Sequence, residues 1–140
     1  MTTNMQQLYQ RMDKALNDEP FASDVSRAAA IGMDLCGALP NLPDEQLRNA
    51  LDVARKYWRG EANEETRLLH VDGVARRSDG ERQSGVGPHE RAMTGLVWWA
   101  LGANMGLTWQ AGERLVELGE NAGLTADQME QIFLRHIPGF

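Results

Sequence analysis

Residues 89–105 have the sequence HERAMTGLVWWALGANM, and no charged residue occurs from position 92 to position 111. Apolar side chains recur at helical spacing in this segment, at Met93, Leu96, Val97, Leu101 and Met105. The adjacent Trp98 and Trp99 point in different directions, so the helix is apolar on most of its sides. Such a helix is typical of the centre of a bundle, and its glycines allow neighbouring helices to approach closely. We therefore predict a central helix that begins at about His89.

The same segment is long enough to raise the question of a membrane-spanning helix. Thr94, Asn104 and Thr108 interrupt it, as do the glycines at positions 95, 102 and 106. A spanning helix needs a continuous apolar run of about 20 residues. The segment therefore predicts a buried helix of a bundle and no contact with a membrane.

Apolar periodicity predicts further helices towards the N-terminus, over about residues 5–18, 23–37 and 44–60. Ser23 is the predicted N-cap of the second of these helices, and Asn63 caps a fourth helix. The predicted buried positions of the fourth helix are Leu68, Leu69, Val71 and Val74. Residues 78–88 contain three glycines among polar side chains, so we expect an exposed loop there.

Two more helices are predicted towards the C-terminus. Thr108 caps a helix that ends near Gly123, with Trp109, Leu115, Val116 and Leu118 towards the core. Thr125 and Gln128 form a capping-box pattern that opens a last helix, with Met129, Ile132 and Phe133 inward. The sequence therefore predicts an all-α fold, a single domain over residues 1–140 with six to seven helices.

The charge balance limits the class of partner. The chain has 140 residues, 20 acidic against 14 basic side chains, and a formal net charge of −6. Nucleic-acid binding depends on clustered Lys and Arg, so this balance disfavours a nucleic-acid partner and is compatible with a basic protein. Residues 1–7 carry neither a basic start nor an apolar run, and we therefore expect a cytoplasmic protein. Pairing of the chain with itself is compatible with the same composition.

Residues that could carry chemistry are few. The single cysteine, Cys36, has apolar and small neighbours and is expected to be a buried free thiol. The three histidines are scattered, and none lies four residues from another, so we predict no metal site and no cofactor. Residues 85–88 precede a helix, but they lack the lysine of a phosphate-binding loop and are interpreted as a plain connection. The four tryptophans are interpreted as core residues, and an aromatic ligand pocket is the alternative.

A row of glutamates is the most specific surface feature. Glu113, Glu117 and Glu120 are spaced so that their carboxylates lie on one face of the sixth helix. Adjacent like charges are mildly unfavourable, so the row is either a solvated face or a docking surface for a Lys- and Arg-rich protein. The loop at Arg82, Gln83, Ser84 and Val86 is a second candidate contact for a partner.

One segment resembles a known family. Residues 50–65 have the sequence ALDVARKYWRGEANEE. This helix, its Gly-Glu-Ala turn and the acidic helix start resemble those of a family of bacterial immunity proteins grouped as Imm-five-like. The small-residue-rich segment at residues 92–106 and the sequence LRHIP at residues 134–138 are similar in character to the same family. The resemblance covers about the last two thirds of the chain.

The resemblance implies an antitoxin that protects a bacterium in interbacterial competition. Such a protein would bind the effector domain of a cognate toxin, which a secretion system delivers, and would occlude it. Occlusion needs a complementary surface and no catalytic group, so we expect no enzymatic activity. The alternative is a helical chaperone or adaptor for a secreted effector. An enzyme working among the tryptophans is a third hypothesis, which requires a sizeable pocket with converging polar groups.

Overall fold

The computed structural model of the chain describes residues 3–42 and 44–140, so Met1, Thr2 and Pro43 lie outside the described residues. Over this part of the chain the protein is an all-α fold of seven helices without strands, as the sequence predicts. The helices are α1 Met5–Leu16, α2 Val25–Ala38, α3 Glu45–Trp58, α4 Glu64–Gln83, α5 Pro88–Ala100, α6 Trp109–Asn121 and α7 Ala126–His136.

Local capping explains where several helices begin. The side chain of Asn63 accepts the Thr66 N–H at 2.8 Å, and the hydroxyl of Thr108 accepts the Ala111 N–H at 3.1 Å. Thr125 begins α7 with the predicted capping box. The prediction for α2 is wrong by one residue, because Asp24, not Ser23, accepts the N–H of the third helical residue. An aspartate there also has a carboxylate that bonds the guanidinium of Arg27.

Helix α5 is the centre of the bundle and contacts α2, α3, α4 and α6. Its glycine permits a close approach, since a Cβ at Gly95 would lie 3.0 Å from a Leu118 methyl group on α6. On α2, a Cβ at Gly32 would lie only 2.9 Å from the backbone nitrogen of Ala100 on α5. One cluster of buried apolar side chains includes members from all seven helices. The predicted central helix is therefore confirmed.

The predicted loop at residues 78–88 is mostly helical. Helix α4 continues to Gln83, and only the following four residues connect it to α5. Glu81, near its end, is buried and accepts the Thr94 hydroxyl of α5 at 3.0 Å and the Arg77 guanidinium at 3.4 Å. The bond to Thr94 of α5 and the bond to Arg77 within α4 hold the last turns of α4 in a helix, although Gly80 disfavours one locally.

The buried face of α4 also differs from the prediction. Leu68 and Leu69 are exposed, and Val74 and Glu81 are the buried residues of the helix. The inward face therefore includes a buried carboxylate, of which Oε2 accepts bonds from Thr94 and Arg77 while Oε1 has no partner among the described residues, and the sequence pattern did not show this.

Two apolar residues near the start of α6 are also more exposed than predicted. Met105 is 90% exposed and Trp109 is 40% exposed, because α5 ends at Ala100 and the chain turns before α6. Gly106 allows this turn with a φ of 137° while it packs against the backbone of Ala22.

Among the described residues, no helix combines the length and the apolar character that a membrane crossing requires.

Candidate functional site

The glutamate row of α6 lies beside α1. Helix α6 packs its apolar side on α1 and α5, which leaves Glu117 and Glu120 exposed and Glu113 half-buried at the boundary with α1. The three residues therefore lie on one side of the helix, at its edge with a second helix.

Helix α1 adds two residues to this surface. Burial raises the pKa of Tyr9, and the charges of Glu120, Glu117 and Glu113 raise that pKa further. Burial and the neighbouring carboxylate of Asp13 raise the pKa of Glu113. Both shifts have the sign expected where negative charges are close together. We call the carboxylates of Asp13, Glu113, Glu117 and Glu120 the acidic face, with Tyr9 among them.

Among the described residues, one cation forms an ion pair with the acidic face. Arg114 contacts Glu117 at 2.9 Å, and both side chains are half exposed. An exposed pair of this kind contributes about 0–1 kcal/mol, so a partner can replace it at little cost. The other three carboxylates form no ion pair with a described residue, and two of them, Asp13 and Glu120, are exposed.

The second candidate contact, residues 82–86, lies at the end of α4. Arg82 and Gln83 are in the last turn of the helix, Ser84 is its C-cap, and the Val86 N–H donates to the Glu81 carbonyl at 3.1 Å. Arg82 bonds Asp79 one turn earlier. Gln83 and Ser84 are exposed, and Val86 is half-buried.

One groove is lined by a residue from each of the two predicted contact surfaces, the glutamate row and residues 82–86. Arg82 and Glu117 both line a groove of about 240 Å³ between α4, α5 and α6, together with Arg91 and Arg114. Trp98 lies in a neighbouring groove that Arg82 and Arg114 also line. The structure therefore brings Arg82 close to one member of the acidic face, while Glu113 and Glu120 lie on the α1 side.

A further groove, larger than the two described above, was not predicted. It has a volume of about 670 Å³ and lies between α2, α3 and α7. Arg55, Arg59 and Arg135 line it, so we call it the arginine groove. Arg55 on α3 and Arg59, the C-cap of that helix, are four positions apart, and this spacing was a signal in the sequence. Arg135 joins them only because α7 packs on α2.

The arginine groove also holds an acidic residue. His136 Nε2 lies 2.6 Å from the Asp34 carboxylate, which lines the groove. The sequence showed His136 as isolated, because its partner is 102 positions away. Nearby, Cys36 is buried as predicted, and burial raises its pKa to about 12 although the charge of Arg55 opposes this. Its thiol is therefore protonated at neutral pH and is a poor nucleophile.

The tryptophans divide between core and surface. Trp99 is buried, and its ring contacts the half-buried Trp98 edge to face at a centroid distance of 5.8 Å. Trp58 is half-buried, with its indole N–H donating to the Ala100 carbonyl at 2.9 Å. The prediction that Trp109 points into the core is wrong, as its 40% exposure shows.

Across residues 3–42 and 44–140, no group of three or more His, Cys, Asp or Glu side chains is arranged to hold a metal ion. Comparison with protein-family models, with curated proteins and with solved structures finds no match to this chain.

Proposed function

We propose that this protein is a bacterial immunity protein that binds the effector domain of a cognate toxin and occludes it in the cytoplasm. The observation that carries the proposal is the acidic face, in which four carboxylates and a tyrosine gather across α1 and α6. The resemblance of residues 50–65 to the Imm-five-like family supports the same function. In this proposal the chain acts as a protein inhibitor and catalyses no reaction.

The acidic face suits a partner rich in lysine and arginine. Clustered negative charge accelerates encounter with a basic protein and orients it on approach. The half-buried Tyr9 offers an aromatic ring and a hydroxyl near the three glutamates, and tyrosine is a kind of residue that often anchors an interface. Burial, and after it the charge of Asp13, raises the pKa of Glu113 in the free protein, and a cationic partner relieves the repulsion between the two carboxylates.

The contact that we propose extends from the acidic face to residues 82–86. Arg82 and Glu117 line one groove, so a partner that covers the exposed side of α6 reaches both. Arg82 and Arg114 are each in an exposed ion pair on their own helix, and each can exchange its partner for a carboxylate of the toxin.

The experiment starts from the toxin domain encoded next to this gene. The domain is co-expressed with the wild-type chain, and cell growth and the affinity of the purified pair are measured. We expect the double substitution Glu113→Lys and Glu117→Lys to slow association and to weaken affinity by about tenfold or more. The matched control is Asp52→Lys with Asp72→Lys, which changes net charge equally at two exposed mid-helix acids.

The results separate the alternatives. Growth rescue by the wild type and by the control, but not by the α6 variant, would support the proposal. A tight complex in which the toxin stays active would point instead to a chaperone or adaptor. Equal loss of binding in both double variants would show that net charge alone matters and would reject the acidic face as the contact.

A further inference from the structure

The arginine groove has an excess of positive charge, whereas the acidic face is negative, and the two are formed by different helices. Its charged lining consists of three arginines and Asp34, whose carboxylate already bonds His136 at 2.6 Å. The chain as a whole has a net charge of −6. A local excess of positive charge in a groove of about 670 Å³ on an acidic protein is a feature that neither the fold nor the proposed toxin contact requires.

The guanidinium groups in this groove keep free donors. Among the described residues, no carboxylate lies within 4.0 Å of the Arg55 guanidinium. Arg135 is 3.8 Å from Asp34, which is too long for a hydrogen bond. Arg59 bonds Glu61 in a pair whose side chains are more than half exposed, and such pairs exchange readily.

The floor between these arginines is apolar and fixed. Met33, Trp58 and the buried Ile132 contribute to it. The bond from the Trp58 indole to the Ala100 carbonyl, at 2.9 Å, holds the ring in place. The Arg55 guanidinium lies next to Gly37, 3.7 Å from the place of a Cβ there.

We propose that the arginine groove binds an acidic segment of a partner protein. Carboxylates of the segment pair with Arg55 and Arg135, and an apolar side chain between them lies on Trp58 and Ile132. Charge complementarity selects this occupant, because arginine presents a planar fork of donors that matches a carboxylate with two parallel hydrogen bonds. The apolar floor favours a peptide with hydrophobic side chains over a small inorganic anion.

The test uses a short fluorescein-labelled peptide with a central pair of leucines flanked on both sides by glutamates. Its binding to the full chain is followed by fluorescence anisotropy. We expect Arg55→Gln and Arg135→Gln each to weaken binding about tenfold, since each loses a charge-assisted hydrogen bond. The control Arg76→Gln, at an arginine that pairs with Asp72 outside the groove, should bind like the wild type.

A measurement on the wild type guards against variants that fail to fold. Titration of the peptide should shift the amide resonance of Gly37, which lines the groove, and leave that of Gly80 on α4 unchanged. A peptide with lysines in place of the glutamates should cause no shift.

Four results would overturn the proposal. The first is unchanged affinity in Arg55→Gln and Arg135→Gln, and the second is equal binding of the lysine peptide. The third is displacement of the glutamate peptide by inorganic phosphate beyond that by chloride at equal ionic strength, which would indicate a site for a free anion. The fourth is dimerisation of the wild type that Arg55→Gln abolishes, which would identify a second copy of this chain as the occupant. None of these results depends on the toxin contact at the acidic face.

Discussion

Helices α2 and α5 touch through Gly32, so the substitution Gly32→Ala tests the packing at the centre of the bundle. A Cβ at position 32 would lie 2.9 Å from the backbone nitrogen of Ala100 and 3.0 Å from the Cβ of Trp99. Ordinary contacts begin at 3.4 Å, so the two helices would have to separate by about 0.5 Å. The obstructing atoms belong to a helix backbone and a Cβ, and neither can rotate away.

Two opposing effects set the size of the change. Alanine is favoured over glycine in a helix interior by about 1 kcal/mol. Overpacking a rigid core costs about 1–3 kcal/mol, and contact with backbone atoms places this site at the upper end of that range. We therefore expect Gly32→Ala to lower the free energy of unfolding by about 1–2 kcal/mol and to lower Tm by about 3–8 °C.

Gly80→Ala is the matched control, because it makes the same change in a helix with open surroundings. No atom outside the local helix backbone lies within 4 Å of a Cβ at Gly80. We expect the variant to gain about 0.5–1 kcal/mol through helix propensity. Urea denaturation followed by circular dichroism measures both variants. A Gly32→Ala protein as stable as the wild type would refute the close α2–α5 contact, and a loss in Gly80→Ala would refute the extension of α4.

Three further outcomes are expected. Leu51→Ala should cost about 2–5 kcal/mol in a urea titration, since the side chain is 5% exposed, and a wild-type midpoint would contradict its place in the core. Asp44→Asn should be less stable than the wild type near neutral pH, because the hydrogen bond from Arg77 lowers the pKa of Asp44 below its usual 3.8. That stabilisation is lost as pH falls through the lowered pKa, so the two proteins should converge in acid, and a constant difference would exclude the ion pair as its cause. The Cys36 thiol should react with a disulfide reagent only after unfolding in urea, because burial raises its pKa to about 12, and rapid reaction of the native protein would contradict this.

The glutamate row on α6 could be predicted from the sequence, but its neighbours on α1 could not. The spacing of Glu113, Glu117 and Glu120 placed them on one side of α6, and that relation holds whatever the helix packs against. Their proximity to Asp13 and Tyr9 depends on how α1 packs against α6. The spacing of residues within one helix does not predict that packing. Sequence reasoning could identify the glutamate row but not the rest of the acidic face.

The error in α4 has a similar cause. Glycine at position 80 and the polar residues around it favour a loop when only neighbours in sequence are considered. In the folded chain the Thr94 hydroxyl and the Arg77 guanidinium meet the carboxylate of Glu81, and these contacts outweigh a helix penalty of about 1 kcal/mol. The apolar Leu68 and Leu69 are correspondingly left at the surface.

Apart from the last turns of α4, the amino-acid sequence by itself determined the helices and several of their first residues, because periodicity and capping by Asn63, Thr108 and Thr125 act over three or four positions. It also determined that α5 is central, since an all-round apolar helix must be covered on every side. Tertiary structure alone decided the arginine groove, which joins Arg55 to Arg135 across 80 positions of the chain. Helix formation is set by neighbours along the chain, whereas a binding groove is set by the crossing of helices that are distant in sequence.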